Sequence, residues 1–581
     1  MRNRAHNYGR AVCDGDDQRA GKFGALKELK DIQAQLADPR RLGPHPDAPA
    51  KALIARGKTV VLITCGIHST EVGSYLSSTL IAHRLASSAD AEVQSILENC
   101  IVLLVPSLNP DGVDIVKRWY DRTLGTPFEG TSPPELYHKY IGHDNNRDWY
   151  AFTQRETRLT VDRIHNVWHP HIVHDIHQQG QFGARLFVPP YMPPIEPNVP
   201  AQLVEAYTEL GGYIARRMRA ANFKGITTDS SYDAWTPARA YSHYHGGVRI
   251  LSETASARIA SPFNVRFEDL KSDAGYDPRE TSAAFPEIWP GGEWRLRDIT
   301  NYMTTAAFHL LDHAARHREL WLTRFYEIGR EAVRPRRAGE LFGFKITPGG
   351  GSFELEQVLE RGGVEIEHAA EASGRGARNN ADRRVPPSIV RIAQPYGAFA
   401  KALLEKQQYP NLRSASGEPL PPYDVTAHTL PLLFGVQVAP LYAPVRTVRQ
   451  PPAPSALGAS APVPQKRVAL YRSHVPAMDE GWTRWVFEQR GMNYTSLRDA
   501  EIRAGNLRAR YDAIVIPDQS PKSILEGYAA GAMPAEYVGG IGDAGVRELR
   551  EFVTAGGRLI LLNRACGFAL KQFDLPVRDV T

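Results

Sequence analysis

A histidine and a glutamate stand three residues apart at His68 and Glu71, in the stretch TCGIHSTEVGS. An imidazole nitrogen and a carboxylate at this spacing could bind one metal ion, because residues three apart are neighbours across the first turn of a helix. The same spacing recurs at His368 and Glu371, in a polar stretch that carries no other sign of chemistry. Whether the pair at 68 and 71 indicates a metal site therefore depends on the strand and helix around it.

The first pair lies between a predicted strand and a predicted helix. Residues 59–64, TVVLIT, are rich in β-branched side chains and stop shortly before a glycine, which is typical of a buried strand. The stretch after Glu71 predicts a helix with an apolar face formed by Tyr75, Leu76, Leu80, Ile81 and Leu85. In open α/β sheets, ligand sites lie beyond the carboxyl ends of the strands, which is where His68 and Glu71 fall.

Other predicted strands also deliver polar residues at their ends. Asn109 to Gly112 follow the strand IVLLVPS, His177 ends the strand HIVHDIH, and Glu253 lies in VRILSETAS. His174 competes with His177 as a candidate ligand. A strand alternates its faces, and only His177 lies at the strand end after Asp175. The motif N-P-D-G is strong turn chemistry in any protein, so a purely structural role is equally open.

The motifs form one ordered set, made of H-x-x-E at 68–71, N-P-D-G at 109–112, D-x-N-R at 144–147, D-I-H at 175–177 and the late Glu253. In this order the set resembles the zinc carboxypeptidases of the carboxypeptidase A type, the funnelins. The resemblance covers roughly residues 51–330, about half of the chain. It implies an α/β fold with a mixed sheet between helical layers, and one Zn²⁺ per chain.

The resemblance implies a role for each of these residues. His68, Glu71 and His177 would bind the zinc ion, and two His with one Glu is a known ligand set that leaves a fourth position for water. Glu253 would be the general base that takes a proton from that water. Asp144 would accept a hydrogen bond from the second nitrogen of His68 and so fix the orientation of its ring.

Substrate binding is implied in the same way. Asn146 and Arg147 would bind the terminal carboxylate of a peptide, because a planar guanidinium pairs with a carboxylate through two hydrogen bonds. In the family, the arginine that stabilises the oxyanion lies between N-P-D-G and D-x-N-R. Arg118 and Arg122 both occur there, and we expect Arg122 to fill this role.

A flexible tyrosine that contacts substrate is also part of the resemblance. Tyr232, in DSSYDAW, precedes Glu253 at about the distance found in the family. Tyr241 and Tyr244 compete with it for this role. The three tyrosines stay open as alternatives, with Tyr232 as the expected one.

The motifs therefore favour a zinc-dependent metallocarboxypeptidase, a hydrolase that removes C-terminal residues from peptide substrates. A related zinc amidohydrolase that deacylates small acyl-amino acids would use the same metal and base. A non-catalytic peptide- or glycan-binding protein could use the same scaffold. Blocking the C-terminal carboxylate of a substrate should stop an exopeptidase and leave a deacylase largely unaffected.

Further units surround this region. Residues 1–50 are polar and show little strand signal beyond GRAV at 9–12, so the catalytic sheet would be incomplete at that edge. Residues 340–445 predict a small α/β domain, and the Pro- and Ala-rich residues 446–466 predict a linker. Residues 467–581 predict a flavodoxin-type sheet that stops short of full size.

This last unit resembles the class I glutamine amidotransferases, in which a cysteine nucleophile after a strand works with a later histidine. Cys566 follows a predicted strand, but the last histidine of the chain is His474. We therefore expect a truncated, non-catalytic module in which Cys566 is a buried thiol.

Composition limits the alternatives. A chain of 581 residues predicts about three or four domains, and 42% apolar with 23% charged residues is ordinary for a globular protein. A net charge of +5 with scattered arginines does not indicate a nucleic-acid partner. The cysteines have no C-x-x-C spacing and are expected to be free thiols, namely Cys13, Cys65, Cys100 and Cys566.

Targeting signals are weak. No apolar run reaches membrane-spanning length, and the first residues lack the apolar core of a secretory signal. The sequence predicts either a cytoplasmic protein or a native start upstream of this methionine. In the second case the family resemblance suggests a secreted or periplasmic protein.

Overall fold

The computed structural model describes residues 20–230, 235–369, 386–414, 416–420, 422, 426–448, 466–573 and 575–580. Its helices are α1 (Ala20–Ala37), α2 (Asp47–Arg56), α3 (Val72–Ser87), α4 (Ala91–Asn99), α5 (Pro110–Thr123), α6 (Arg155–Thr160), α7 (Asn166–Trp168), α8 (Ala201–Ala220), α9 (Pro237–Ala240), α10 (Leu296–Arg316), α11 (Arg318–Ala332), α12 (Ser352–Arg361), α13 (Gly397–Leu404), α14 (Leu430–Phe434), α15 (Met478–Gln489), α16 (Asp499–Arg503), α17 (Leu507–Arg510), α18 (Pro521–Glu526), α19 (Gly542–Thr554) and α20 (Ala565–Gln572). Its strands are β1 (Thr59–Thr64), β2 (Cys100–Val105), β3 (Ile172–Gln179), β4 (Leu186–Phe187), β5 (Ile226–Thr227), β6 (Val248–Ala255), β7 (Phe263–Val265), β8 (Gly292–Trp294), β9 (Gly343–Ile346), β10 (Glu367–Ala369), β11 (Ser388–Arg391), β12 (Val438–Leu441), β13 (Thr447–Val448), β14 (Val468–Tyr471), β15 (Tyr494–Leu497), β16 (Ala513–Ile516) and β17 (Arg558–Leu561).

The central sheet has the strand order β2-β1-β3-β6-β4-β5. Strands β2, β1, β3 and β6 run parallel, whereas β4 runs antiparallel to β6, so the predicted α/β class with a mixed sheet is confirmed. Every residue of β1 is buried, as expected for a parallel strand inside a layered fold. The carboxyl ends of β1, β3 and β6 meet at one edge of the sheet, and this edge carries the predicted metal ligands.

Helix α3 approaches α10 closely because small residues line the contact. A Cβ atom added at Gly73 would lie only 2.4 Å from Ile299 of α10. The other small buried residues of α3 are Ser74, Ser77 and Ser78. Leu76 and Leu80 are 39% and 48% exposed, so the predicted apolar face was wrong for these two leucines. Two helices in such close contact leave no room for leucine between them.

The N-terminal helices α1 and α2 pack with α11 around a small apolar core that includes Ile32, Leu36, Leu53, Leu322 and Phe325. Helix α1 ends at Ala37. Residues 296–332 form two helices, α10 and α11, which meet at His317. The strand signal at 9–12 lies outside the described residues. Among the described residues before Thr59, none lies in a strand.

A second sheet, fully antiparallel, has the order β12-β9-β11-β10-β13. Its apolar core is continuous with the core of the central sheet. Phe399 of α13 shows this directly, because its ring centroid lies 5.3 Å from that of Tyr241 and 6.4 Å from that of Phe152. The region predicted as a separate small α/β domain therefore shares one core with the region before it.

The predicted linker begins inside this second sheet. Thr447 and Val448 form β13, which pairs with β10. Residues 449–465 of the predicted linker lie outside the described residues. The described residues resume at Lys466, just before β14.

A third sheet has four parallel strands in the order β15-β14-β16-β17. It has an apolar core of its own, which includes Tyr471, Ile514 and Phe552. Its helix α15 contacts the first region, where Gly481 lies against the backbone carbonyl of Tyr140. In the part of the chain that the structure describes, no helix is long and apolar enough to cross a membrane.

The cysteines that the structure describes are free, with Cys65 and Cys100 buried and Cys566 exposed. The prediction that Cys566 is a buried thiol was therefore wrong. Cys566 lies in the first turn of α20, with its Sγ 3.4 Å from the carbonyl oxygen of Leu561. Helix α20 instead buries Ala565, Phe568 and Ala569.

Candidate metal centre

His68, Glu71 and His177 form a buried cluster beyond the carboxyl end of β1 and near the end of β3. Glu71 lies between the two histidines. Its Oε1 is 2.7 Å from His68 Nδ1, and its Oε2 is 3.2 Å from His177 Nδ1. One ligand atom of each residue lies within 4.8 Å of the other two. In the described part of the chain, this is the one group of His, Cys, Asp and Glu side chains that could hold a metal ion.

The backbone around Glu71 explains how it can face two histidines. The turn between β1 and α3 passes through Gly66 at φ 61°, a left-handed conformation that favours glycine, and Glu71 is the N-cap residue of α3. At the end of β3, Gln178 donates its backbone N–H to Glu71 Oε2 at 2.9 Å. The side-chain oxygen of Gln178 accepts the backbone N–H of Gly73 at 2.7 Å. These bonds hold the start of α3 against the end of β3.

His177 is oriented from its other side by a buried ion pair. Asp175 Oδ2 lies 3.1 Å from His177 Nε2 and accepts a hydrogen bond of 3.1 Å from Arg249 Nε. Thr64 donates its hydroxyl to Asp175 Oδ1 at 2.8 Å. Burial alone would raise the pKa of Asp175, but the charges of His177 and Arg249 hold it well below its ordinary value. Asp175 is therefore a carboxylate that fixes the ring of His177.

The alternation of β3 separates the two candidate histidines. His174 faces the opposite side of the strand, where its Nε2 lies 2.9 Å from the hydroxyl of Ser252. Burial lowers the pKa of His174 to about 4. The structure brings His177, and not His174, into the cluster with Glu71.

The donor set of the cluster fits zinc. Zinc ligands lie about 2.0 to 2.2 Å from the ion, so two ligands of a tetrahedral site are about 3.4 Å apart. Burial lowers the pKa of His68 despite the adjacent Glu71, and a neutral imidazole is the form that binds a metal. Burial opposes a charge on His177, but Asp175 and Glu71 raise its pKa well above the ordinary value. The two carboxylates thus favour positive charge at the centre of the cluster.

We expect Asp175→Asn to weaken zinc binding by roughly 10- to 100-fold, as is typical when a group that orients a ligating histidine is lost. The change removes the negative charge beside His177 and leaves Arg249 buried without its counter-ion. Competition with a chromophoric chelator measures the affinity. Asp312→Asn is the matched control, because Asp312 is also buried and accepts from an arginine, Arg316, at 2.6 Å on α10. Equal losses in the two variants would contradict the orienting role.

Glu253 lies beside the cluster on the neighbouring strand. In the parallel register of β3 and β6 it is paired with His177, so the two side chains project from the same face of the sheet. Burial raises the pKa of Glu253 to about 7, although the charge of His177 lowers it. A carboxyl group with a pKa near neutrality is suited to exchange a proton at physiological pH.

The 3₁₀ turn Gly142–Arg147, called the 142–147 turn below, packs on the H-x-x-E segment. His68 Nε2 lies 3.1 Å from the carbonyl oxygen of His143, and the two rings are stacked with centroids 3.7 Å apart. Asn145 donates its side-chain amide to the carbonyl oxygen of Ile67 at 2.6 Å. The turn is therefore fixed to the residue next to the first metal ligand and to that ligand itself.

Asp144 has a different partner from the predicted one. The second nitrogen of His68 faces the backbone carbonyl of His143, where the sequence predicted the carboxylate of Asp144. Asp144 Oδ2 instead accepts a hydrogen bond of 2.9 Å from the indole N–H of Trp482, in α15. The side chain of Asp144 thus connects the 142–147 turn to the region of the third sheet.

Asn146 and Arg147 end the 142–147 turn close to the cluster. Asn146 is buried, and its Oδ1 has no hydrogen-bond partner among the described residues. The positive charge of Arg147 lowers the pKa of His68, as burial also does. The guanidinium therefore lies within electrostatic reach of this metal ligand. The structure brings Arg147 within electrostatic reach of the cluster and Asn146 into the same turn, and their predicted role in carboxylate binding stays a prediction.

The N-P-D-G segment has a clear structural function. Asn109 Oδ1 accepts the backbone N–H of Gly112 at 3.1 Å and caps α5, whose first residue is Pro110. The side-chain amide of Asn109 donates to the carbonyl oxygen of Tyr137 at 2.9 Å. Ser69 donates its hydroxyl to the carbonyl oxygen of Asn109 at 3.1 Å. The segment therefore ties α5 to the turn that carries the first two ligands.

Arg122 and Arg118 are not brought to the cluster. Arg122 lies exposed in the last turn of α5, where it donates to the hydroxyl of Tyr537 at 2.6 Å and to Glu536. Arg118, one helical turn earlier, is also exposed. Residues four apart share one face of a helix, and this face of α5 is turned toward the region of the third sheet. The geometry therefore gives no support to the predicted oxyanion role of Arg122.

The candidate tyrosines do not join the cluster either. Tyr232 lies outside the described residues. Tyr241 and Tyr244 are each 2% exposed. The ring of Tyr241 is stacked on His245 with centroids 3.9 Å apart and contacts Phe399, in the core shared by the first two sheets. Both competing tyrosines are therefore core residues in this structure.

Two residues that contact groups of the site, Arg249 and Trp482, received no role from the sequence. Arg249 lies in the apolar strand VRILSE, and a buried arginine always needs a partner, so its position alone could have indicated an ion pair. Trp482 lies far along the chain in a different unit. No spacing or motif in the sequence connects it to Asp144.

The fold and the cluster together define an α/β protein with a His-Glu-His metal centre. Residues 47–173 match the family model described as Zinc carboxypeptidase. The match includes His68, Glu71 and the 142–147 turn, and it ends before His177 and Glu253. This segment is therefore a zinc carboxypeptidase family domain. The family match confirms the general class predicted from the sequence, which is a zinc-dependent hydrolase of the protease, metalloprotease and carboxypeptidase classes.

Similar solved structures include a metallo-carboxypeptidase from Pseudomonas aeruginosa, with 16% identity and a TM-score of 0.30. The aligned region covers 45% of this chain and 58% of that protein. A metallo-carboxypeptidase from Burkholderia cenocepacia has 16% identity and a TM-score of 0.27, with coverages of 45% and 57%. Carboxypeptidase A from Helicoverpa armigera has 15% identity and a TM-score of 0.29, with coverages of 45% and 62%. The chain thus spans less than two thirds of each of these proteins. A search of curated protein sequences gives no match.

Proposed function

We propose that this chain is a zinc-dependent metallocarboxypeptidase that hydrolyses the C-terminal peptide bond of peptides. The observation that carries the proposal is the buried cluster of His68, Glu71 and His177, with Glu253 in register with His177 on the next strand. The family match over residues 47–173 also supports the proposal, because it includes the first two ligands, His68 and Glu71. Three protein ligands that leave one position open are the pattern of a catalytic rather than a structural zinc site.

The protein residues would divide the chemistry between them. His68, Glu71 and His177 would hold the ion, and Asp175 keeps the ring of His177 in place. Bound zinc would supply a water of lowered pKa and polarise the scissile carbonyl. Glu253 would take the proton from the attacking water and pass it to the nitrogen of the departing amino acid.

Substrate orientation would come from the 142–147 turn. Asn146 and Arg147 end the turn that packs on the H-x-x-E segment, and there they would bind the carboxylate of the last residue and place its peptide bond over the centre.

Zinc content provides the first test. We expect the chain to hold about one zinc ion after reconstitution and dialysis, and His68→Ala to hold less than about a tenth of one, because a ligand is lost. His368→Ala is the matched control, since His368 belongs to the second H-x-x-E pair and lies in β10 near Ser388. Less than about half a zinc in the unaltered chain, or unchanged zinc in His68→Ala, would end the proposal. Release of free amino acid from a peptide then tests the activity.

We propose that the region of the third sheet is a non-catalytic module of the flavodoxin type, similar to class I glutamine amidotransferases. Its parallel strands follow the order second, first, third, fourth, which is the first part of the flavodoxin-type order. Cys566 is exposed on α20. The proposed units are residues 51–330 with the adjoining residues 340–445, followed by residues 467–581.

A further inference from the structure

Helix α15 of the third-sheet region packs on the segment that leads into the 142–147 turn. At Gly481 the approach is so close that an added Cβ atom would lie 1.4 Å from the carbonyl oxygen of Tyr140. The hydroxyl of Tyr140 donates to Glu488 Oε2 at 2.5 Å, and the guanidinium of Arg484 lies 5.8 Å from the centroid of the Tyr140 ring. The backbone just ahead of the turn is therefore held by a helix from another unit.

One polar bond connects α15 to the turn itself. The indole N–H of Trp482 donates to Asp144 Oδ2 at 2.9 Å. A hydrogen bond to a carboxylate is about twice as strong as one between neutral groups. Trp482 is braced on its own helix by Trp485, with the two rings in an edge-to-face arrangement and centroids 5.9 Å apart. The donor thus reaches Asp144 from a fixed position.

The neighbours of Asp144 contact His68 and the residue before it. His143 offers its carbonyl oxygen to His68 Nε2, and Asn145 donates to the carbonyl oxygen of Ile67. Because these residues are consecutive in a tight 3₁₀ turn, Asp144 cannot shift without moving both of them. The backbone of the 142–147 turn therefore connects the hydrogen bond between Trp482 and Asp144 to the metal ligand His68.

We propose that Trp482 is a positioning residue that acts through Asp144. By holding the 142–147 turn, it places Asn146 and Arg147 for binding of a substrate carboxylate beside His68. The inference rests on the proposed function for the identity of that substrate. It assigns the third-sheet region a part in substrate binding that acts through the 142–147 turn.

The test compares two tryptophans of one helix in the full chain loaded with zinc. Trp482→Phe keeps an aromatic ring and removes the N–H donor, so KM for a peptide with a free C-terminal carboxylate should rise about tenfold, with kcat within about twofold. Trp485→Phe removes an equivalent N–H on the same helix and should leave KM unchanged. Equal values of KM in the two variants would overturn the proposal.

A double-mutant cycle tests the route of the effect. If Trp482 acts through Asp144, the KM of Trp482→Phe combined with Asp144→Ala should equal that of Asp144→Ala alone. Independent effects, with the two increases in KM multiplying, would show that Trp482 acts by another route and would overturn the proposal.

A binding measurement separates this inference from the proposed activity. The probe is 3-phenylpropanoate, a carboxylate with no amide bond to hydrolyse, titrated calorimetrically into zinc-loaded protein. We expect Kd to rise about tenfold in Trp482→Phe at unchanged zinc content. An unchanged Kd would overturn the positioning role. If the unaltered chain binds this probe and hydrolyses no peptide, the peptidase proposal fails while the comparison of Kd values still decides the role of Trp482.

Discussion

Replacing Glu253 by glutamine is expected to lower kcat by roughly 100- to 10,000-fold, the range typical for loss of a general base. The change preserves the shape of the side chain and removes the group that accepts the proton. Zinc content should remain near that of the unaltered chain, because Glu253 is not one of the three ligands. Single-turnover kinetics and metal analysis of the same sample measure the two quantities together.

Glu196→Gln is the matched control for this experiment. Glu196 is also a buried glutamate, and burial raises its pKa to about 7 as well. Its carboxylate accepts the backbone N–H of Asn198 at 2.9 Å and does not belong to the metal cluster. We expect kcat of this variant to stay within about threefold. Near-normal hydrolysis by Glu253→Gln would mean that another residue is the base.

Arg147→Lys is expected to raise KM strongly for peptides with a free C-terminal carboxylate. Lysine keeps the positive charge and loses the planar fork that binds a carboxylate through two hydrogen bonds. Loss of such a pair costs roughly 2 to 5 kcal/mol, which corresponds to about 30-fold to several thousand-fold in affinity. The effect should appear mainly in KM, measured on a series of peptides that differ in their last residue.

The decisive comparison uses the same peptides with an amidated C-terminus. These substrates have no carboxylate, so any slow cleavage of them should be nearly the same in Arg147→Lys as in the unaltered chain. Arg118→Lys, an exposed arginine on α5, should behave normally on both kinds of substrate. Equal losses on free-acid and amidated peptides would mean that Arg147 only stabilises its turn. Efficient cleavage of amidated substrates would favour the deacylase instead.

The metal cluster could be predicted because local signals support what the family resemblance implies. His68 and Glu71 follow a strand with a strong apolar signal, and the alternation of β3 distinguishes His177 from His174. Each of these inferences needs only a few neighbouring residues and the regular period of a strand. The assembly of β1, β3 and β6 then follows from the rule that parallel strands present their carboxyl ends at one edge.

The surroundings of the cluster could not be predicted, because they depend on contacts between distant residues. The bond between Trp482 and Asp144 joins positions 338 residues apart, and no periodic pattern encodes such a pair. The exposure of Leu76 has a similar cause, because it is set by how closely α10 approaches α3. In both cases tertiary packing overrides what the local sequence favours.

The single apolar core shared by the first two sheets also limits how the molecule can move. Domains that meet through a small polar surface rotate about a hinge, whereas a large apolar contact resists such rotation. Phe399 lies against Tyr241 and Phe152, so sliding one sheet past the other would open voids between their rings. Relative rotation of these two sheets is therefore costly. The third sheet has an apolar core of its own, and α15 reaches the 142–147 turn through the hydrogen bond from Trp482 to Asp144.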